Sequence, residues 1–210
     1  MRQAIILAGA VGMLAVSGGA LASDVALGVK GGTQGLGVEL VKGISPSLNL
    51  RFDANGFTFD ADETYEANDY KLDLEVAMFG ALVDWHPFGG AFRMTAGIYS
   101  NGTELSGNTT GNVVVNGTAY PGATLNADVD FGNTAPYLGI GWGNAVDQNQ
   151  RLTFNLSLGV AYTGSADVSL AATGVPVDPN DLRAEEQALQ DDIDEYRYYP
   201  VANIGMAYRF

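Results

Sequence analysis

Apolar and polar residues alternate along most of this chain with a period of two. The clearest stretch is 151–163, where Leu152, Phe154, Leu156, Leu158, Val160 and Tyr162 are interleaved with Thr153, Asn155, Ser157, Gly159 and Ala161. The same pattern closes the chain at 196–210, with Tyr198, Pro200, Ala202, Ile204, Met206, Tyr208 and Phe210 on one side. Successive side chains of a strand point to opposite faces, so this spacing predicts two-faced strands and not helices. Weaker copies at 24–31, 35–42, 48–59, 70–85, 91–101 and 135–144 bring the expected number of strands to eight. On 70–85 the row Tyr70, Leu72, Leu74, Val76, Met78 is followed by an apparent change of phase near Phe79, because Leu82 and Val83 both look buried; a β-bulge is expected there.

Alternation does not say which face meets water. The second face decides it, because it carries Gly97, Gly139, Gly141, Gly143, Ser157, Gly159, Ala161, Gly205 and Ala207 where a water-exposed sheet would carry Lys, Glu and Thr. Small side chains fit the crowded inside of a narrow eight-stranded barrel, and the apolar row then fits hydrocarbon. The fold expected is therefore all-β: an eight-stranded antiparallel transmembrane β-barrel with apolar residues outward. Connection lengths agree, with short turns near 43–47, 86–90 and 144–150 and longer segments at 60–69, 102–134 and 174–195. Within 102–134, Val113-Val114-Val115 followed by Asn116-Gly117 predicts a projecting hairpin. Were both its arms embedded, the barrel would have ten strands. The last loop is expected to hold a short helix near 179–195, capped by Asp178, with Pro179 in its first turn and docked over the barrel mouth.

The N-terminus supplies the matching address. Met1-Arg2-Gln3 precedes an uncharged apolar run from Ala4 to Val16, and Ala20-Leu21-Ala22 has the small-x-small form of a cleavage site. Residues 1–22 are read as a signal peptide and 23–210 as the barrel. The apolar run is too short to span a bilayer, which takes about 20 residues. Of the 210 residues 10 are basic and 24 acidic, so the net charge of −14 disfavours nucleic acid as a partner. With no cysteine, disulfides and thiolate chemistry are excluded.

The chain resembles the small eight-stranded outer-membrane barrels of Gram-negative bacteria, the broad OmpA/OmpX/OmpW-like superfamily. The resemblance is architectural, covers the mature chain, and is most specific at Ile204, Met206, Tyr208 and the final Phe210. It implies that these four residues are read by the outer-membrane insertion machinery, that the protein resides in the cell outer membrane among lipid and lipopolysaccharide, and that the segment before Tyr196 is extracellular.

Strand parity puts Lys30, Glu39, Arg51, Asp53, Lys71, Asp73, Glu75 and Arg93 on the lumen face, four charges of each sign. Two uses fit them: a gated ion path, or a polar plug that locks the lumen. Most of the excess acid falls on outer loops, at Asp60, Asp62, Glu63, Glu66 and Asp69 and again at Asp178, Asp181, Glu185, Glu186, Asp191, Asp192, Asp194 and Glu195. Divalent cations bridging these carboxylates to lipopolysaccharide phosphates are a candidate partner; Asp60-x-Asp62-Glu63 offers oxygen ligands but lacks the glycine and terminal Glu of an EF-hand.

No catalytic residues, metal site or cofactor are assigned. His86 is the one histidine and falls at an inner turn, away from the outer leaflet where related barrel enzymes work, and an Asp73/Glu75 pair has no cleft beside it. The expectation is a monomeric structural or porin-like outer-membrane protein and not an enzyme. Two alternatives stand beside it: transport of a small solute past Glu39, Asp53, Asp73 and Glu75, and surface adhesion or partner binding through 102–134 and 174–195; a lipid-A-modifying enzyme that needs no histidine is a remote third.

Overall fold

The structure is a computed structural model and describes residues 24–65, 68–193 and 197–210; the leader assigned to 1–22 lies outside the described residues. Eleven strands and one helix follow in chain order. They are β1 (Val25–Gly32), β2 (Gly35–Ser45), β3 (Leu48–Tyr65), β4 (Asn68–Trp85), β5 (Phe92–Asn101), β6 (Glu104–Val115), β7 (Thr118–Asp130), β8 (Thr134–Trp142), β9 (Leu152–Tyr162), β10 (Asp167–Thr173), α1 (Pro179–Ile193) and β11 (Tyr198–Arg209). Eight of them close a ring in the order β1-β2-β3-β4-β5-β8-β9-β11, sealed by the antiparallel pairing of β11 with β1. These are the eight stretches in which the alternation is strongest. The remaining three, β6, β7 and β10, join the upper part of β4 and build a second sheet above the ring, here called the annex.

The ring is apolar on its outside. Phe154, Leu138, Ile204 and Phe79 are each 64–70% exposed, and the whole row Leu152–Tyr162 of β9 faces outward, while Thr153, Asn155, Ser157 and Ala161 are buried within. Aromatic pairs mark both rims: Phe92 with Trp142 at the inner end, Tyr162 with Tyr198 at the outer. Water would oppose such a surface; hydrocarbon between two aromatic girdles suits it.

The longest hairpin is β3–β4, paired without interruption from Leu48↔Trp85 to Tyr65↔Asn68. Eighteen residues per strand exceed the roughly 9–11 that cross a bilayer, so 60–65 and 68–69 are paired strand at the top of this hairpin. No bulge occurs at Phe79. Register shifts lie instead at Gly43/Ser45 and Gly111/Asn112. The apolar 76–83 segment looked out of phase because both of its faces are apolar: Val76, Met78 and Leu82 point into the barrel, Phe79 and Val83 outward.

The expected 102–134 hairpin is β6–β7. Asn116 and Gly117 both take positive φ (50° and 77°), the geometry of the tight two-residue turn that Asn-Gly favours. It pairs with β4 above the ring and adds no barrel strand. Sequence reasoning found no element at 164–173, where β10 extends the annex beside β7. The annex buries one face under α1: Leu182 packs against the cluster Val113, Val115 and Ala123, and Leu189 and Ile193 against the cluster Val129, Ala166 and Val168. The helix docks on the annex sheet, against β10 and β6, on the face that continues the inward parity of β4. Asp178 caps it by accepting from the Asn180 N–H at 2.8 Å. Gln190 and Glu186, one turn apart, accept from the Val168 and Leu170 N–H groups and so occupy the free edge of β10.

Candidate functional site: the barrel lumen

Arg51 stands at the centre of the lumen, placed there by the inward parity of β3 that it shares with Asn49, Asp53 and Asn55. Its Nη2 donates to Asp84 Oδ1 at 3.0 Å, and its Nη1 lies 3.5 Å from Glu39 Oε2. Asp84 also accepts from Thr95 Oγ1 at 2.6 Å and lies 3.6 Å from Arg93 Nε. Arg93 donates to the Gly143 carbonyl at 2.6 Å and to Ser157 Oγ at 2.7 Å, and Glu39 accepts from Asn155 Nδ2 at 3.0 Å. Above this group Lys30 forms an ion pair with Asp53, toward which the Tyr99 hydroxyl also points at 3.4 Å.

These six charged residues are three cations and three anions, and none is more than 8% exposed. An isolated charge out of water costs several kcal/mol, so balance and hydrogen bonding are what allow the set to be buried at all. Small inward residues are the sockets that make room for it, among them Gly141 and Gly159 noted in the sequence and Gly80, which was not. A Cβ at Gly80 would lie 2.1 Å from Asp53 Oδ1, and one at Gly141 2.9 Å from the Arg93 guanidinium. At Gly159 it would meet the Tyr137 hydroxyl at 2.5 Å.

Each end of the ionic layer is closed. Toward the annex lies an apolar cluster that includes Val76, Met78, Leu82 and Val201, with Tyr99 and Tyr137 packed edge to face, ring centroids 5.5 Å apart. At the inner end the 143–151 turn folds back so that Ala145 and Val146 are buried against Ala26, Val41 and Ala207. His86 belongs to this inner closure. Its Nδ1 donates to the Gly90 carbonyl at 2.9 Å and its Nε2 accepts from Asn49 Nδ2, which also donates to Asn144 Oδ1. Burial lowers its pKa below the ordinary histidine value, in keeping with the neutral ring that these bonds require.

Of the eight charged residues placed in the lumen from the sequence, Lys30, Glu39, Arg51, Asp53 and Arg93 are there. Lys71, Asp73 and Glu75 are not: they are exposed on the outward face of β4, in the annex. The misplacement has a physical cause. Within the membrane the apolar face of a barrel strand looks out, but above it water surrounds the chain and the apolar side chains of β4 take the lumen-side parity, where Leu74 packs on the Val76–Met78 cluster. Tyr70, Leu72 and Leu74 thus share the inward parity with Val76 and Met78, and the charges between them look out. Asp84, Tyr99, Tyr137, Gln34 and His86 were missed as lumen residues; parity carried from Val76 and Met78 down to Asp84 would have found the first of them. The C-terminal residues Ile204, Met206, Tyr208 and Phe210 are all exposed on the outer wall, the first three opposite Leu156, Phe154 and Leu152 of β9.

No family model matches the chain, and no curated protein does. Two solved structures share its architecture. Acinetobacter baumannii CarO is 20% identical, with a TM-score of 0.61 over 91% of this chain and 100% of CarO. Acinetobacter baumannii CarO2 is 19% identical, also with a TM-score of 0.61, over 89% of this chain and 98% of CarO2. The chain has the eight-stranded outer-membrane β-barrel fold that these proteins share.

Proposed function

We propose that this protein is a closed outer-membrane barrel: a membrane anchor with a sealed lumen that carries the annex on the cell surface. One observation supports the reading above others, namely that all six lumen charges are paired and shielded from water, between an apolar layer and a folded-in turn. Ion flow would need a continuous wet path, and opening one would separate Arg51 from Asp84 and Glu39. The leader at 1–22, the insertion role of Ile204, Met206, Tyr208 and Phe210, and a monomeric state belong to the same proposal. No catalytic step is part of it.

The test is reconstitution in planar bilayers. The wild-type protein is expected to show no steady conductance, whereas R51A/D84A, which empties the centre of the lumen, is expected to conduct. Steady wild-type channels at neutral pH would overturn the closed reading and favour the transport alternative, in which Glu39 and Asp53 line the path. Surface adhesion is favoured by a separate observation: the annex is a formed sheet with its own apolar core, more than loops need in order to connect barrel strands. Deleting 104–130 should then abolish attachment and leave a heat-modifiable barrel.

A further inference from the structure

Asparagine followed by glycine is a chemically unstable pair. The glycine carries no side chain to obstruct its own nitrogen, which can attack the asparagine amide carbon and expel ammonia. The chain holds three such pairs, Asn55-Gly56, Asn101-Gly102 and Asn116-Gly117, and the fold treats them differently. Asn55 is 8% exposed within β3, with Gly37 and Met78 opposite it on its two neighbouring strands. Asn101 is 3% exposed; its amide donates to the Gly132 carbonyl at 3.2 Å and accepts from Thr103 Oγ1 at 2.7 Å. The Gly102 N–H, which would have to attack, donates instead to the Ala77 carbonyl at 2.8 Å. Asn116-Gly117 is the exposed tip of the β6–β7 hairpin, and a Cβ built on Gly117 would meet nothing within 4 Å. Two of the pairs are locked in the wall and rim of the barrel. The third has water around it and room for a ring to close, at a tip of the kind that opens most readily.

What Asn116 holds gives such a reaction a structural consequence. Its Nδ2 donates to Asp181 Oδ1 at 3.0 Å and its backbone N–H donates to Glu185 Oε2 at 2.8 Å. Side chain and main chain of one residue thus tie the first half of α1 to the turn. Beside them Leu182 packs on Val113, Val115 and Ala123. The residue that is chemically least protected is therefore the one that pins the helix.

We propose that Asn116 is a self-modification site, whose conversion to a carboxylate releases the first half of α1 from the annex turn. The Gly117 nitrogen bonds to Asn116 Cγ, the Cγ–Nδ2 bond breaks, and ammonia leaves with the proton of the glycine nitrogen, closing a five-membered imide. Water then opens that ring at either carbonyl. One opening leaves an aspartate on the original chain path; the other leaves an isoaspartate, with the chain running through Cβ and Cγ. Nothing is oxidised or reduced, and water is the only co-reactant. Either product puts a carboxylate where the Nδ2 donor was, beside Asp181 and Glu185, so a hydrogen bond becomes a like-charge repulsion. The isoaspartate also lengthens a two-residue turn whose geometry fixes the register of both strands. Loss of ammonia makes the change one-way, so the docking of α1 declines with the age of the molecule.

The experiment ages the folded barrel in lipid vesicles, in mildly alkaline buffer made with heavy-oxygen water, beside a sample unfolded in urea. Peptide mass mapping reads the three pairs. In the folded protein Asn116 is expected to take up heavy oxygen while Asn55 and Asn101 do not; in urea all three should. Amide exchange over 179–186, corrected for intrinsic rates, should rise about 2–10-fold in aged wild type, the range that loss of one hydrogen bond allows. Asn116→Asp reproduces the aspartate product and should show the raised exchange when fresh. Asn116→Gly tolerates the positive φ of the turn, cannot react, and should show exchange that does not change with age. An intact Asn116 in folded protein whose urea control has reacted overturns the proposal, as does equal uptake at all three pairs in the folded protein. Uptake at Asn116 with exchange of α1 unmoved, or fresh Asn116→Asp matching fresh wild type, overturns the link to the helix.

Discussion

Asp84 and Asp73 lie eleven positions apart on one unbroken strand and live in opposite worlds. Asp84 is 3% exposed and shared among Arg51, Arg93 and Thr95. Asp73 is exposed, with Asp60 opposite it on one side and Ser106 on the other. The difference is the solvent. In the barrel half of β4 lipid surrounds the wall and charge is driven to the inside, where each ion needs a partner. In the annex half water surrounds the sheet, charge takes the outward parity, and the apolar side chains Tyr70, Leu72 and Leu74 take the lumen-side parity, with Leu74 partly buried. One strand obeys two rules, and the height at which they exchange is the membrane surface.

The largest effect should come from removing a lumen partner. Asp84→Ala removes the carboxylate that two buried guanidinium groups share and is expected to cost about 3–5 kcal/mol. Asp73→Ala removes one member of a repulsive row and should lie within about 0.5 kcal/mol of wild type. Urea unfolding followed by gel mobility in lipid vesicles measures both. Equal costs would erase the contrast between the two halves. Next in size is a charge placed on the outward parity of β4. Ala81→Arg puts a guanidinium toward hydrocarbon and should cost about 2–4 kcal/mol. Asp73→Arg, eight positions higher on the same side, should cost nothing and could only relieve the row. If Ala81→Arg is tolerated as well as Asp73→Arg, the wall below does not face lipid.

Glycines divide the same way. A Cβ at Gly159 would press on the Tyr137 hydroxyl and on the Leu138 carbonyl, each at 2.5 Å, so Gly159→Ala should cost about 1–3 kcal/mol. At Gly107 in the annex a Cβ meets nothing closer than 3.5 Å, and Gly107→Ala should stabilise by about 0.5–1 kcal/mol through reduced freedom of the unfolded chain. The pair tests whether the barrel interior is full while the annex sheet has room.

The eight ring strands, their outward apolar face and the Asn-Gly hairpin were legible because alternation and turn chemistry are local signals. Five of the eight lumen charges were legible for the same reason. Lys71, Asp73 and Glu75 were not, because parity was read as though one solvent surrounded the whole of 70–85. On a strand whose segment 76–83 is apolar on both faces, period alone carries no phase, and Leu82 and Val83 were then explained by a bulge that the chain does not have. The annex was legible only in part. β10 is short, its Val168-Ser169-Leu170 alternation is brief, and what makes it a strand is pairing with β7, about forty residues away in sequence. Long-range pairing of this kind leaves little trace in composition.

The smallest expected effect is in the annex and concerns pH. The helix is pinned to the β6–β7 turn through Asp181, which accepts from the Tyr120 hydroxyl at 2.7 Å and from Asn116 Nδ2 at 3.0 Å. The bond from Tyr120, followed by that from Asn116, holds the Asp181 pKa below the ordinary carboxylate value, and the same bond raises that of Tyr120. A carboxylate with a depressed folded pKa contributes fully above its unfolded value of about 3.9 and loses that contribution as pH falls through the folded one. Tyr120, with its pKa raised, contributes below its unfolded value of about 10 and loses the contribution as pH rises through the folded one. Docking of α1 is therefore steady across the neutral range and weakens at both extremes. β9 takes no part in this contact and serves as the reference. Amide exchange of α1 relative to β9, corrected for intrinsic rates, should rise slightly in acid for wild type, and Asp181→Asn should flatten that dependence. The change is small because water screens an exposed pair. Matched acid sensitivity in β9 would mean that the two halves are coupled, and that the annex is not the separately solvated layer its charges describe.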